Sequence, residues 1–285
     1  MKRLFCLILF VVILSMTASA EAEWPGATDI GETPVAIDLD GDGSPESVSC
    51  AMVPDDFEAH LRLRVVSEAG VETAYDSGVV WNQRVCAVDL DGDGTVELFA
   101  SGDVMSDDYY TVCLHYTGDS LREVLFADVR RGENIPGAYF KYGYGALEGM
   151  NPDAATVTLS GSQDVLGTWF GSRTLKLTEG GLFEYADDGW WLRDTSNFGE
   201  DIWDSYAALN PLAEIAYTSG GETGVLRPGD RFLITGSDKQ EKATFLSEDG
   251  RTGTLAISVD YDRGWGWTIN GVPEEELFEI VPYAD

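Results

Sequence analysis

Two near-copies of one stretch, opened by Asp38 and Asp89 and set 51 residues apart, constrain this chain more than any other feature. Each copy is an apolar run, then carboxylates at alternate positions, two glycines and a glutamate. Counted from the first Asp, acids stand at positions 1, 3, 5 and 9: Asp38, Asp40, Asp42 and Glu46, then Asp89, Asp91, Asp93 and Glu97. A tight loop aims alternate side chains at one point, and hard cations such as calcium take six to eight oxygen ligands. The glycines reach backbone angles that other residues resist, so the loop can wrap. The flanks are β-branched and alternate, which predicts a strand on each side. Without an ion, the same stretch would be a solvated acidic hairpin turn.

The repeat extends past the loop. The first unit has strand patterns at Pro34–Ile37, Ser47–Val53, Ala59–Val66 and from Val71 to Tyr75. In the third of these, His60, Arg62 and Arg64 alternate with Leu61, Leu63 and Val65, as in a half-buried strand. The second unit follows with Leu98–Ala100, Tyr109–Tyr116 and Glu123–Phe126. An acidic turn falls in the same place in each, at Asp55-Asp56 and Asp107-Asp108. A period of about 50 residues with four short strands is the pattern of propeller blades, which must stack to bury their faces. From Gly132 to Asp194 a third, degenerate unit without an acidic loop is expected, with strands at Tyr139–Tyr144, Thr156–Ser160, Thr168–Leu177 and Leu182–Tyr185. Glu21–Thr33 reads as an irregular lead-in.

An EF-hand would need a bidentate Glu at position 12, between helices. Ser49 and Ala100 stand there. The pattern D-x-D-G-D-G-x-x-E between strands instead resembles the calcium loop of FG-GAP (VCBS, integrin-α-like) repeats. That resemblance implies calcium as the bound ion and the eight acids above as its ligands. It adds the backbone carbonyls of Ser44 and Thr95, at position 7. Three units fall short of the six or seven blades of a closed propeller in that family.

Met1–Ala20 has the form of an export signal. Lys2 and Arg3 precede the apolar run Leu4–Met16, and Ala18-Ser19-Ala20 forms a small-residue cleavage site. The run is too short to span a bilayer comfortably, and no membrane span is expected elsewhere. The mature chain would begin at Glu21, in a secreted or extracytoplasmic setting. Fifty acids against 18 lysines and arginines give a formal charge of −32. Such a surface repels nucleic acid and anionic lipid. Cys50, Cys86 and Cys113 remain after cleavage; an odd count builds no disulfide framework, and they read as small buried residues on strands, with one bridge as the alternative.

Thr195–Ala208 lacks a strand pattern, which places a linker at 195–210 between a β-repeat domain (21–194) and a C-terminal segment (211–285). In that segment, Arg231–Thr235, Lys242–Leu246 and Gly253–Val259 are strands, with Asp249-Gly250 as a hairpin turn. Trp265, Trp267 and Asn270-Gly271 close the chain. The order is similar to bacterial Src-homology-3-like barrels. The expected fold is therefore all-β: a propeller-like stack of antiparallel repeats, then a small barrel.

No nucleophile elbow, Cys–His pair or zinc spacing is present. His60 and His115 sit on alternating strands and read as solvated or packed. Tyr142, Tyr144, Trp169, Trp190 and Trp191 read first as core packing of a small β domain, with faces for sugar stacking as the alternative. These features point to an exported, non-catalytic calcium-binding protein that meets a protein or glycan ligand at the cell envelope. A carbohydrate-binding or carbohydrate-cleaving propeller is the alternative.

Overall fold

The structure is a computed structural model that describes residues 24–54, 59–79, 81–103, 109–128, 133–135, 145–196, 198–199, 202–203, 207–259 and 266–283. The expected export signal, both acidic turns, Tyr139–Tyr144 and Trp265 lie outside the described residues. The chain is all-β. Strands β1 (Thr28–Asp29), β2 (Val35–Ile37), β3 (Glu46–Pro54), β4 (Ala59–Val66) and β5 (Glu72–Asp76) open it. β2-β3-β4-β5 form a four-stranded antiparallel meander, the first unit. Leu61, Leu63 and Val65 of β4 are buried, while Arg62 and Arg64 reach across the outer face to Asp76 and Glu72.

The second unit is β6 (Trp81–Val88), β7 (Glu97–Asp103), β8 (Tyr109–Tyr116) and β9 (Leu121–Glu123). It has the same order, with β1 added at the edge of β6. Thr28 and Asp29 pair with Ala87 and Cys86, so part of the expected irregular lead-in is a strand. β7 is buried on both sides. Leu98 and Ala100 pack with Leu63, Val65 and Val112. Phe99 faces the other way, into a core with Leu159, Leu175 and Phe183. The middle unit is apolar on both faces because a sheet covers each of them.

The covering sheet on the far side contains β10 (Leu125–Asp128), β11 (Glu133–Ile135), β12 (Ala146–Asn151), β13 (Thr156–Asp164), β14 (Thr168–Leu177) and β15 (Leu182–Tyr185). The strand expected at Glu123–Phe126 is broken in two. Val124 is 3% exposed and donates its N–H to the Cys113 carbonyl (2.9 Å), and there the chain leaves the second sheet for the third. β12-β13-β14-β15 is an antiparallel meander, while β10 meets β15 in parallel. Cys86 and Cys113 flank Phe99 from the strands on either side of β7. That spacing is too wide for a disulfide, and all three described cysteines are buried free thiols.

The third sheet runs on into the C-terminal segment. β16 (Trp191–Leu192) pairs with β14 on one side and, on the other, with β19 (Phe232–Ser237). Around β19 lie β17 (Ile215–Ser219), β18 (Glu222–Leu226), β20 (Lys242–Ser247), β21 (Thr252–Val259), β22 (Trp267–Ile269), β23 (Val272–Pro273) and the short helix α1 (Glu274–Leu277). Val165, Leu166 and Trp169, at the tip of the β13–β14 hairpin, share a core with Phe232, Phe245, Leu255 and Phe278. The Trp267 indole donates to the Asp164 carbonyl at 2.7 Å, and Thr168 N–H to the Pro282 carbonyl at 2.9 Å. Among the described residues the sheets close into neither a propeller nor a barrel. Because ladder and core both cross the junction, a chain cut once between 195 and 208 should stay in one piece on native size exclusion. Two pieces should appear only in denaturant; native separation would mean that these contacts do not hold the halves together.

Candidate metal centre

Each acidic loop bridges two neighbouring antiparallel strands, whose last ladder pairs are Ile37 with Glu46 and Val88 with Glu97. Inside each loop one leucine turns inward: Leu39 and Leu90 are fully buried. The leucine N–H donates to the position-9 glutamate, Leu39 to Glu46 Oε2 at 2.9 Å and Leu90 to Glu97 Oε2 at 2.8 Å. Glu46 is 4% exposed and Glu97 1%. A buried leucine and a buried glutamate thus hold the base of each loop.

Above this base three bonds recur in both loops, and the second loop adds one from Gly92 N–H to Asp89 Oδ1 at 2.8 Å that the first lacks. Asp38 Oδ2 accepts from Gly43 N–H at 2.9 Å, and Asp89 Oδ2 from Gly94 N–H at 3.2 Å. Asp42 Oδ1 accepts from Ser44 N–H, and Asp93 Oδ1 from Thr95 N–H, both at 2.7 Å. Asp40 and Asp91 each accept from the N–H two residues on at 3.3 Å. The curl needs left-handed backbone at Gly41 and Gly43 (φ 72° and 88°), matched at Gly92 and Gly94 (75° and 90°). Glycine adopts those angles without a Cβ clash.

The curl gathers carboxylates. Oxygens of Asp38, Asp40 and Asp42 lie within 4.8 Å of one another, as do those of Asp89, Asp91 and Glu97. Glu46 and Asp93 stand outside these triplets, Glu46 at the base of its loop and Asp93 capping the tip of the other. Among the described residues no lysine or arginine pairs with any of the eight acids. Asp38 Oδ1 is shielded from solvent and has no hydrogen-bond partner. Burial pushes the Glu46 carboxyl above the ordinary range; the Leu39 N–H opposes this, and Asp40 and Asp42 add to the rise. Asp91 is raised by burial and then by Asp93. Crowded, partly buried carboxylates whose one basic side-chain partner among the described residues is His115, at Glu97, favour a hard divalent ion. The donor set of oxygens alone fits calcium; the Ser44 and Thr95 carbonyls stay implied by the family pattern.

His115 was not singled out as a site residue from sequence. It stands opposite Glu97 in the β7–β8 ladder, and its Nε2 lies 2.6 Å from Glu97 Oε1. That contact raises the imidazole pKa. Counting back along the hairpin from the β8 turn would have placed it there. His60 instead faces Asp76 at 3.3 Å, beside Arg62, far from either loop along the ladder.

The two loops also touch. Val96 N–H, in the second, donates to the Leu39 carbonyl, in the first, at 2.9 Å. A Cβ placed on Gly41 would stand 2.9 Å from the Gly94 carbonyl oxygen. Of the aromatic candidates, Trp169 and Trp191 are buried, Trp190 is half-buried, and Tyr142 and Tyr144 lie outside the described residues. Packing therefore occupies two of the faces considered for sugar stacking.

Comparison of the chain with protein-family models, with curated proteins and with solved structures returns no match. Among the described residues no helix is long and apolar enough to cross a membrane.

Proposed function

We propose that this is an exported calcium-binding β-repeat protein of the FG-GAP kind, with a C-terminal Src-homology-3-like segment. In this reading it is non-catalytic and serves adhesion or ligand recognition at the cell envelope. One observation carries the proposal: two acidic loops, 51 residues apart, share four hydrogen bonds and gather carboxylates that no described lysine or arginine neutralises. Stacked sheets supply the frame, and calcium would close each loop between its strands. The eight acids, from Asp38 to Glu46 and from Asp89 to Glu97, are its side-chain ligands. The partner is a protein or glycan met outside the cytoplasm, and processing after Ala20 gives a mature chain that starts at Glu21.

Calorimetry on metal-stripped protein tests the core of this reading. Two calcium ions should bind per chain, with magnesium weaker, because it demands a stricter octahedron and holds its water. No calcium uptake would reduce the loops to solvated turns. A polysaccharide panel separates the carbohydrate alternative: release of reducing ends would make the protein an enzyme.

A further inference from the structure

We infer that the two acidic loops form one coupled device, in which an ion in either loop raises the affinity of the other. The inference rests on the calcium reading above and adds a route between the sites. Leu39 lies between Asp38 and Asp40, and its N–H is taken by Glu46. Its carbonyl receives the Val96 N–H at 2.9 Å. Val96 in turn lies between Thr95 and Glu97, and Glu97 holds Leu90 at the base of the second loop. One peptide of the first loop is therefore bonded to one peptide of the second, and both peptides sit between proposed ligands. Gly41 lies against the Gly94 carbonyl, so the two curls are also in steric contact.

The buried ends of this path bear on the ligand independently of the acid count. Glu46 is a carboxylate 4% exposed with no described lysine or arginine paired to it, and Asp38 Oδ1 is shielded and without a partner. An empty loop is pushed open by its own carboxylates, which moves the Leu39 carbonyl or the Val96 N–H away from its mate. An ion closes the loop and presents that group in the position the other loop needs. Each loop carries four carboxylates against two charges on the ion, so a filled loop stays net negative and still attracts an ion to the other, though less than an empty one; the positive coupling is carried by the bond between Val96 N–H and the Leu39 carbonyl. Such linkage is reciprocal.

The first loop supplies its own test variant. Pro45 occupies the position that Val96 holds in the second loop. Proline is thus compatible with this curl, and Val96→Pro deletes the bridging N–H while leaving the proposed ligands in place. Val96→Ala keeps the N–H and removes side-chain packing, so it serves as the control. Calcium titration of the metal-stripped full chain should give a second binding constant about 5-fold or more tighter than the first, after statistical correction. Val96→Ala should keep that ratio, and Val96→Pro should bind two ions independently.

Should Val96→Pro fold poorly, Asp89→Asn reads the same quantity. With its second loop disabled, the first should bind about 5-fold or more weaker than the tighter wild-type constant. Two independent sites in the wild type, unchanged cooperativity in Val96→Pro, or an undiminished first site in Asp89→Asn would overturn the coupling alone. No calcium uptake by the wild type would overturn the calcium reading and the coupling with it.

Discussion

Removing divalent ions should lower the melting temperature by about 5–10 °C per site, and added calcium should restore it. Two unit charges about 4 Å apart repel by about 1 kcal/mol in water and about 4 kcal/mol at an effective dielectric of 20. Each loop gathers three carboxylates within 4.8 Å. An ion bound only by the folded state adds about 2.7 kcal/mol when free at 100 times Kd. At about 2–4 °C per kcal/mol for chains near this size, that gives the stated shift. Asp42→Asn and Asp93→Asn should each remove part of it, and the double variant most of it. The pH dependence has a definite sign. Glu46 and Asp91 are raised in the metal-free fold. Their contribution to its stability is present below the ordinary carboxylate range and lost as pH rises through the raised values. Bound calcium would offset that loss at neutral pH, so its increment should shrink as protons compete on acidification. Differential scanning calorimetry with and without chelator measures both effects; melting indifferent to chelator would defeat the prediction.

Phe99→Ala should cost about 3–5 kcal/mol, enough to consume much of the stability of an ordinary domain. Phe99 is 1% exposed on β7 and meets Phe183 of the next sheet edge-on at 6.3 Å between ring centres. Its neighbours Cys86 and Cys113 are buried and fixed in the ladder, so they cannot collapse far into the space left. The loss is therefore a full aromatic transfer plus a cavity. Phe99→Leu keeps most of the volume and should cost less than half as much. Urea unfolding gives both values. A change below about 1 kcal/mol for Phe99→Ala would mean that the second and third sheets do not pack face to face.

Several elements were legible to the residue. β4, β8, β14 and β15 match their expected limits, because glycine-rich or acidic turns flank each of these β-branched and aromatic runs. Both acidic loops fall between strands as their pattern required. What was not legible has physical causes. β1 is two residues long and exists through its partners on β6. The outer half of β6, from Trp81 to Arg84, is exposed and broken by a register shift, so its alternation fails. β12 carries a similar irregularity between Leu147 and Gly149. The break at Val124 depends on which sheet each half joins, and no local pattern records that. The placement of Trp169 and Leu166 in the C-terminal core is likewise a contact between distant segments. At the site, eight acids were named from their spacing together with the resemblance to FG-GAP loops. His115 was not, because its role comes from ladder register.

The bond from Trp267 to Asp164 spans 103 residues of chain, and this length orders the assembly of the protein. Closing such a loop costs about 2 kcal/mol more in chain entropy than closing a ten-residue hairpin. The meanders, built from neighbouring strands, meet little of that cost and form early. The hairpin tip at Val165, Leu166 and Trp169 must then wait, apolar and uncovered, until the last strands arrive. A chain that stops short of Trp267 never covers it. Such a product would carry native-like sheets with a sticky end, and self-association is its expected fate.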